Sequence, residues 1–390
     1  MKELTITVGG GFLGKDLEFL ESPLTLVLHE GTIESIEKGG SGSIDLRTHI
    51  IMPPLSNMHV HILDCLIPEE GWDLDIDSVV GEPYGLKYTL LRKRLEECSG
   101  IISAFIREAR TSGVGFIAEF REFDINGLLI DHDRRKKHHY VLAMPSRILK
   151  RKLTVNYLKK MLELSNGVGI SSPLYFDTDE LKTIFRTARE SGKAVFSHVS
   201  ETQETWSEHD FRKLMEAGSP DAVVHGVWLT EEEIYELKEK KVTLVLCPRS
   251  NLWFLSGIPN LYVIYESGVD VALGTDNCGW IKPDLWREAE ILYLLSRNKK
   301  VNDPSWILKS LVNASPVGVE NFIEEGKEAN VLFLRYAGTV LEKARNKHVA
   351  LIKRGDKELI GGLVLNGEAA YCGEYPAEKA LCNSLRDYVS

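Results

Sequence analysis

The sequence predicts an α/β protein, a (β/α)8 TIM barrel carrying a small β-sandwich domain built from both chain ends. Three observations predict it. Eight short apolar runs lie between Ile51 and Cys278, segments of helical periodicity separate them, and both ends of the chain carry short alternating stretches with glycine turns.

The runs are Ile51 to His59, Val114 to Phe120, Tyr140 to Met144, Val168 to Ser172, Ala194 to His198, Ala222 to Val227, Val242 to Cys247 and Val269 to Gly274. From the third onward their starts lie roughly 20 to 30 residues apart, the length of a strand, a helix and two short loops. Within Asp179 to Glu190, Leu181, Ile184, Phe185 and Ala188 share one helical face. Gly192, Gly218 and Gly268 stand where such helices need a C-terminal cap before the next strand. Crossovers of this length demand parallel strands. An open doubly wound sheet is the alternative. It is disfavoured because the reactive side chains end the first, fifth, sixth and eighth runs, which only a closed ring brings to one point.

The first repeat is too long for a simple crossover. Residues 62–88, with Trp72 and the acidic Asp73, Asp75 and Asp77, are expected to form an inserted loop over the barrel mouth, a substrate lid. Alternating stretches from about Leu4 to Ile44 and from about Ala329 to Tyr371 are expected to join into one β domain. The expected division is therefore 1–50 and 326–375 for the composite β domain, 51–325 for the barrel, and 376–390 for a C-terminal helix or tail with proline near its start.

The 390 residues suffice for one large core and a smaller satellite. A net charge of −10 and no long Lys/Arg stripe argue against nucleic acid or an anionic membrane as partner. The basic run Arg134-Arg135-Lys136-Lys137-His138-His139 is the exception, and a solvated turn between helix and strand is expected there. The first residues, Met1 to Ile6, lack the features of a signal peptide, and no apolar stretch reaches the roughly 18 residues of a membrane span, so a cytoplasmic location is expected. Cys65, Cys98, Cys247, Cys278, Cys372 and Cys382 show no Cys-x-x-Cys pairing. Mostly reduced cysteines, several of them buried, are expected, with no disulfide framework. A homo-oligomer is left open.

His59 and His61 flank Val60 at the end of the first run. On an extended segment, side chains two residues apart point the same way, so this pair can grip one metal ion. Further chemistry follows at the ends of later runs: Ser197-His198-Val199-Ser200-Glu201, Val223-Val224-His225-Gly226, Cys247-Pro248-Arg249-Ser250-Asn251 and Leu273-Gly274-Thr275-Asp276-Asn277.

This ordered set resembles the amidohydrolase superfamily, and within it the aminohydrolases that include S-adenosylhomocysteine, methylthioadenosine and guanine deaminases and the chlorotriazine hydrolases. The likeness covers nearly the whole chain. It implies one divalent metal ion held by His59, His61, His198 and Asp276, with Glu201, His225 and Asp276 as catalytic groups. Three imidazoles and a carboxylate suit zinc, with iron as the alternative, and leave a position open for water. A metal so held lowers the pKa of water from 15.7 toward about 7. Asp276 would accept the water's proton, Glu201, protonated through desolvation, would donate to a ring nitrogen, and His225 would orient the attacking oxygen. Two-metal members usually carry a bridging carboxylated lysine after the fourth strand. None lies in Gly167 to Pro173, so one metal is expected.

The run Cys247 to Asn251 is similar to the Cys-Pro-x-Ser-Asn turn of this branch, which nominates Ser250 and Asn251 as substrate contacts. Arg147, after the third run, would meet a carboxylate or phosphate, and Trp72 in the lid would stack on a heterocycle. The function implied is hydrolytic deamination of an amino-substituted heterocycle, an adenosine-like nucleoside or a nucleobase. Alternatives are hydrolysis of a cyclic amide or ring carbon–nitrogen bond, as in imidazolonepropionase-like relatives, and a non-catalytic metal-binding barrel.

Overall fold

The computed structural model describes residues 3–134, 137–146 and 153–389. Nine strands form one curled, all-parallel sheet: β1 (Leu55–His61), β2 (Val114–Arg121), β3 (His139–Ala143), β4 (Gly167–Ile170), β5 (Ala194–Val199), β6 (Ala222–His225), β7 (Thr243–Leu246), β8 (Val271–Leu273) and β9 (Asp276–Asn277). Every residue of β1 and β2 is buried, as expected of parallel strands covered on both faces. From β1 to β8 each strand pairs with the next in sequence, and β9 pairs with β1.

Only Gly274 and Thr275 separate β8 from β9, so one length of chain joins both ends of the sheet. Val271 pairs with Leu244 of β7, and Asp276 pairs with Val60 of β1. In between, the Gly274 amide donates to the Leu246 carbonyl and the Thr275 amide to the His59 carbonyl, each at 3.0 Å. Gly274 is required for this approach, because a Cβ there would lie 2.8 Å from the His59 carbonyl oxygen.

The first apolar run divides in two. His49–Met52 is a strand antiparallel to Val331–Arg335 in a separate six-stranded sheet, and only Leu55–His61 enters the parallel sheet. Pro53 and Pro54 have no amide hydrogen and interrupt the ladder between them. The helix Thr178–Glu190 opens on a capping box from Asp177 and Glu180 and buries Leu181, Ile184, Phe185 and Ala188. Gly268 caps Leu261–Ser267 in the left-handed conformation. Gly218 differs: its backbone is extended, and glycine is needed because a Cβ would strike the Phe185 ring.

A four-stranded sheet from the N-terminal segment and the six-stranded sheet, which mixes both chain ends, share an apolar cluster. Ile6, Leu26 and Leu46 come from the first sheet and Ile51, Val331 and Phe333 from the second. Leu381 and Leu385 of the C-terminal helix Pro376–Val389 complete it. Glu378 of that helix accepts from Arg335 Nε at 2.7 Å and pairs with His49 Nε2 at 3.0 Å, tying the helix to both chain ends.

Two expectations are corrected. Cys65–Cys278 and Cys372–Cys382 are disulfides, and Cys98 and Cys247 are free and buried. No local spacing announces the first pair, whose members lie 213 positions apart and meet only because β9 returns beside β1. The basic run does turn at Lys137 and His138, with Lys137 exposed, but its last residue departs from the expectation. His139 starts β3, is buried, and sets Nε2 2.6 Å from Glu119 Oε2 on β2. Arg135 and Lys136 lie outside the described residues. Among the described residues, no helix is long and apolar enough to cross a membrane.

Gly274→Ala is expected to lower stability by about 1–3 kcal/mol through forced displacement of the β1–β9 junction. The check is the urea denaturation midpoint at constant slope, and an unchanged midpoint would contradict the close approach argued here.

Candidate active site

The residues singled out in the sequence converge at the C-terminal ends of β1, β5 and β6 and at Asp276, which starts β9 just beyond the end of β8. On β1, His59 and His61 present their rings to one face, with centroids 4.9 Å apart. His198 is the next-to-last residue of β5, and the register places Val199, the last, opposite His225 of β6. His59 Nε2 lies 3.1 Å from Asp276 Oδ1 and 3.1 Å from His198 Nε2, and His61 Nε2 lies 3.7 Å from the same Asp276 oxygen. Phe120 of β2 floors the cluster, its ring 4.5 Å from that of His59 and 4.8 Å from that of His198.

For His61 and His198, hydrogen bonds on the far side of the ring decide what faces inward. His61 Nδ1 donates to Glu122 Oε1 at 2.7 Å and His198 Nδ1 donates to the Ser171 carbonyl at 3.0 Å, so both Nε2 atoms carry lone pairs toward the cluster. Burial pushes the His59 and His198 pKa values down, His198 most strongly, with its imidazole neighbours adding to the effect. Neutral imidazoles result, the state a metal requires. Burial opposes the charge on Asp276, but His59 and the other imidazoles hold its pKa well below the ordinary carboxylate range.

This donor set fits a divalent ion. Ligand atoms about 2.1 Å from a tetrahedral centre stand about 3.4 Å from one another. The separations of 3.1, 3.1 and 3.7 Å bracket that value. Two buried ring nitrogens facing each other at 3.1 Å, one of them bare, otherwise lack a compensating charge.

Beside the cluster, His225 Nε2 lies 3.5 Å from Glu201 Oε2 and 4.0 Å from Asp276 Oδ2. Asn251 Nδ2 donates to His225 Nδ1 at 3.0 Å, which leaves the proton on Nε2, facing Glu201. Burial raises the Glu201 pKa well above its usual range, and the charge of Asp276 raises it further. Ser250 Oγ and Asn277 Nδ2 donate to Asp276 Oδ2 at 2.6 and 2.8 Å. Ser250 and Asn251 therefore brace Asp276 and His225, and neither lines the cavity.

That cavity has a volume of about 380 Å³, and His61, His198, Glu201, His225 and Asp276 line its deep end. Its outer wall comes from the second half of the expected lid, through Ile76, Asp77, Val80 and Tyr88. Those residues lie on or beside α1 (Ile76–Val80) and α2 (Leu86–Arg92). The first half is pinned elsewhere: Cys65 is bonded to Cys278, the Glu69 amide donates to the Gly279 carbonyl at 2.9 Å, and Trp280 Nε1 donates to the Glu70 carbonyl at 2.9 Å. Trp72 is 68% exposed and does not line the cavity. Arg147 lies outside the described residues. A larger, shallow depression of about 830 Å³ sits at the N-terminal ends of β3 and β4 and contains none of the cluster.

Sequence reasoning missed Glu122, Asp64 and Lys87, which surround His61. Glu122 follows the last residue of β2, and the rule that reactive side chains end the apolar runs nominates it as well as it does His198. Asp64 and Lys87 lie in the insert, where no periodicity marks them.

With this geometry, the chain matches the amidohydrolase family over residues 50–357. The chain belongs to that family and is a hydrolase acting on carbon–nitrogen bonds. It is 25% identical over 382 residues to a protein of Pyrococcus furiosus named 5-methylthioadenosine/S-adenosylhomocysteine deaminase, covering 88% of this chain and 89% of the relative. Its fold superposes with TM-score 0.80 and 18% identity on a guanine deaminase from C. acetobutylicum with bound guanine, over 95% of this chain and 100% of that one. It superposes with TM-score 0.77 and 17% identity on an adenosine deaminase from Xanthomonas campestris with bound zinc, over 99% of this chain and 98% of that one.

Thiol titration in denaturant without reductant is expected to find the two free cysteines, Cys98 and Cys247, and six thiols after reduction. Six thiols without reductant would remove the Cys65–Cys278 tether from the first half of the insert.

Proposed function

We propose that the protein is a metal-dependent hydrolytic deaminase that releases ammonia from an amino-substituted heterocycle, a purine nucleoside-like compound or a nucleobase. The observation that carries this reading is the placement of Glu201 and His225 on the same cavity as the His59, His61, His198 and Asp276 cluster, with Glu201 Oε2 3.5 Å from His225 Nε2. The deaminases among its relatives and structural neighbours support it. A cavity of about 380 Å³ falls within the range that small ligands occupy.

When bound by His59, His61, His198 and Asp276, a divalent metal supplies Lewis acidity that lowers the pKa of water; zinc is the metal we favour, with iron as the alternative. The chain's own groups do the rest. Asp276 Oδ2, braced by Ser250 and Asn277, takes the proton of the attacking water and later returns it to the departing amino group. Glu201, kept protonated by burial, donates to the ring nitrogen beside the attacked carbon and so makes that carbon electrophilic. His225, its Nε2 proton fixed by Asn251, hydrogen-bonds the incoming oxygen as charge develops on it. We read the supporting scaffold as a closed (β/α)8 barrel over residues 51–325, with a composite β sandwich from 1–50 and 326–375 and a C-terminal helix.

Metal-replete protein is expected to release ammonia from at least one member of a panel of aminopurines, their nucleosides, aminopyrimidines and aminotriazines. Ring opening without ammonia would redirect the reading to cyclic-amide hydrolysis, and no turnover of either kind would defeat it. Glu201→Gln is expected to retain the metal and lose about 100-fold or more in kcat; near-normal turnover would remove Glu201 from the role of acid. Metal analysis is expected to give one equivalent per chain, falling to a small fraction of that in His59→Ala.

A further inference from the structure

Behind His61, on the side away from the cluster, three ionisable side chains are almost fully buried. Lys87, on α2, Asp64, three residues after His61, and Glu122, at the end of β2, each have a side chain 2% exposed or less. Lys87 Nζ lies 3.1 Å from Asp64 Oδ1 and 3.0 Å from Glu122 Oε1. The same Glu122 oxygen accepts the Nδ1 hydrogen of His61 at 2.7 Å. Each contact alone is an ordinary buried ion pair. Together they run from the insert, through one carboxylate oxygen, to the ring of a proposed metal ligand.

We infer that Lys87 is a positioning residue for the metal centre: its ammonium holds Glu122 against His61 Nδ1 and thereby fixes the His61 ring with Nε2 facing the ion. This rests on the reading of His59, His61, His198 and Asp276 as a metal site. Two carboxylates confined in a region of low dielectric repel strongly unless a cation lies between them. Asp64 and Glu122 are such a pair, and Lys87 is the cation that touches both. Their oxygens and a His61 ring nitrogen lie within 4.8 Å of one another, close enough to ligate an ion of their own. The ammonium fills that position. Without it, Glu122 has no counter-charge holding it in place and is driven from Asp64, and the Nδ1 hydrogen of His61 loses its acceptor. Groups that bond the outer nitrogen of a metal-ligating histidine typically contribute 10- to 100-fold to metal affinity. Lys87 also lines the cavity beside Tyr88, so the segment that walls the substrate pocket is anchored to the metal ligand itself.

The test is release of bound metal to a chelator, followed by stopped flow, with the visible spectrum of the cobalt-substituted protein as a second readout. Lys87→Met is expected to release metal about 10-fold faster or more, and to shift the cobalt bands as the His61 ring moves. Adding Asp64→Asn, which removes one of the two repelling charges, is expected to recover part of the loss. A purely structural lysine would lower the unfolding temperature of loaded and metal-free protein alike and leave release kinetics and spectrum unchanged; that result overturns the inference. Should Lys87→Met fail to fold, Glu122→Gln, which preserves size and removes the charge, carries the same test: faster release supports the inference and wild-type release overturns it. Failure of wild-type protein to bind one equivalent of metal would instead defeat the reading of the metal site, so the two failures are distinguishable.

Discussion

The organising constraint is the double pairing of Val271–Asn277. A parallel sheet left open presents two edges of unpaired backbone groups, and this segment satisfies both, hydrogen-bonding to β7 over its first half and to β1 over its second. The consequences reach the chemistry directly. The amide that closes the junction, that of Thr275, donates to the carbonyl of His59, and the next residue is Asp276. Side chains alternate along a strand, so slipping the junction by one position would turn the Asp276 carboxylate away from the imidazoles. The hydrogen bonds that join the ends of the sheet therefore also set Asp276 against His59 and His61.

The same burial has opposite effects on the two carboxylates near the cavity. Both lose water. Asp276 is surrounded by His59, His61 and His225 and takes hydrogen bonds from Ser250 and Asn277, so its negative charge is compensated and retained. Glu201 faces the charge of Asp276 without comparable compensation, and its pKa rises. In the proposed mechanism these two become a proton acceptor and a proton donor on one cavity, told apart by their neighbours rather than by residue type. Desolvation likewise favours the neutral forms of His59 and His198, and the outer hydrogen bonds of His61 and His198 select the nitrogen that faces inward.

Much of this was legible in the sequence because it follows from strand periodicity. The eight apolar runs correspond to strands, and His59, His61, His198, His225 and Asp276 stand at or near strand ends, where one residue of error would have been visible as a broken alternation. What escaped depends on distance along the chain. The Cys65–Cys278 bond and the contact of Lys87 with Glu122 join segments whose proximity is created only by the finished sheet. Ser250 and Asn251 are expected from the sequence to touch substrate, whereas they bond Asp276 and His225; which neighbour each serves is set by rotamer and register, not by spacing. Trp72 illustrates the reverse error. Composition marked it as a stacking surface, yet the tethers on either side of it hold the insert so that Tyr88 and Ile76, not the indole, reach the cavity.

Backbone conformation shows where the structure accepts cost. Ser200, His225 and Asp276 all adopt left-handed backbone angles, with φ of 48°, 72° and 57°. For residues with a side chain, such conformations cost of order 1–3 kcal/mol each and persist only where surroundings over-determine them. The surroundings are identifiable. Asp210 accepts from both the amide and hydroxyl of Ser200, at 2.6 and 2.8 Å; the amide of Gly226, just after His225, donates to Val199 at 3.0 Å; and Asp276 is held by the β1 ladder and by Ser250. All three residues lie at the rim, where strands end and side chains must be turned into the cavity out of the sheet's regular alternation. A rim fixed by its own hydrogen bonds leaves little freedom for adapting to different substrates. The insert, by contrast, supplies the outer wall through α1 and α2, by side chains such as Ile76, Val80 and Tyr88 that carry none of the proposed chemistry. Under the proposed function, substrate choice and bond-breaking would fall to different segments, joined at Lys87, and a change in the wall would alter which ring is admitted without disturbing how it is attacked.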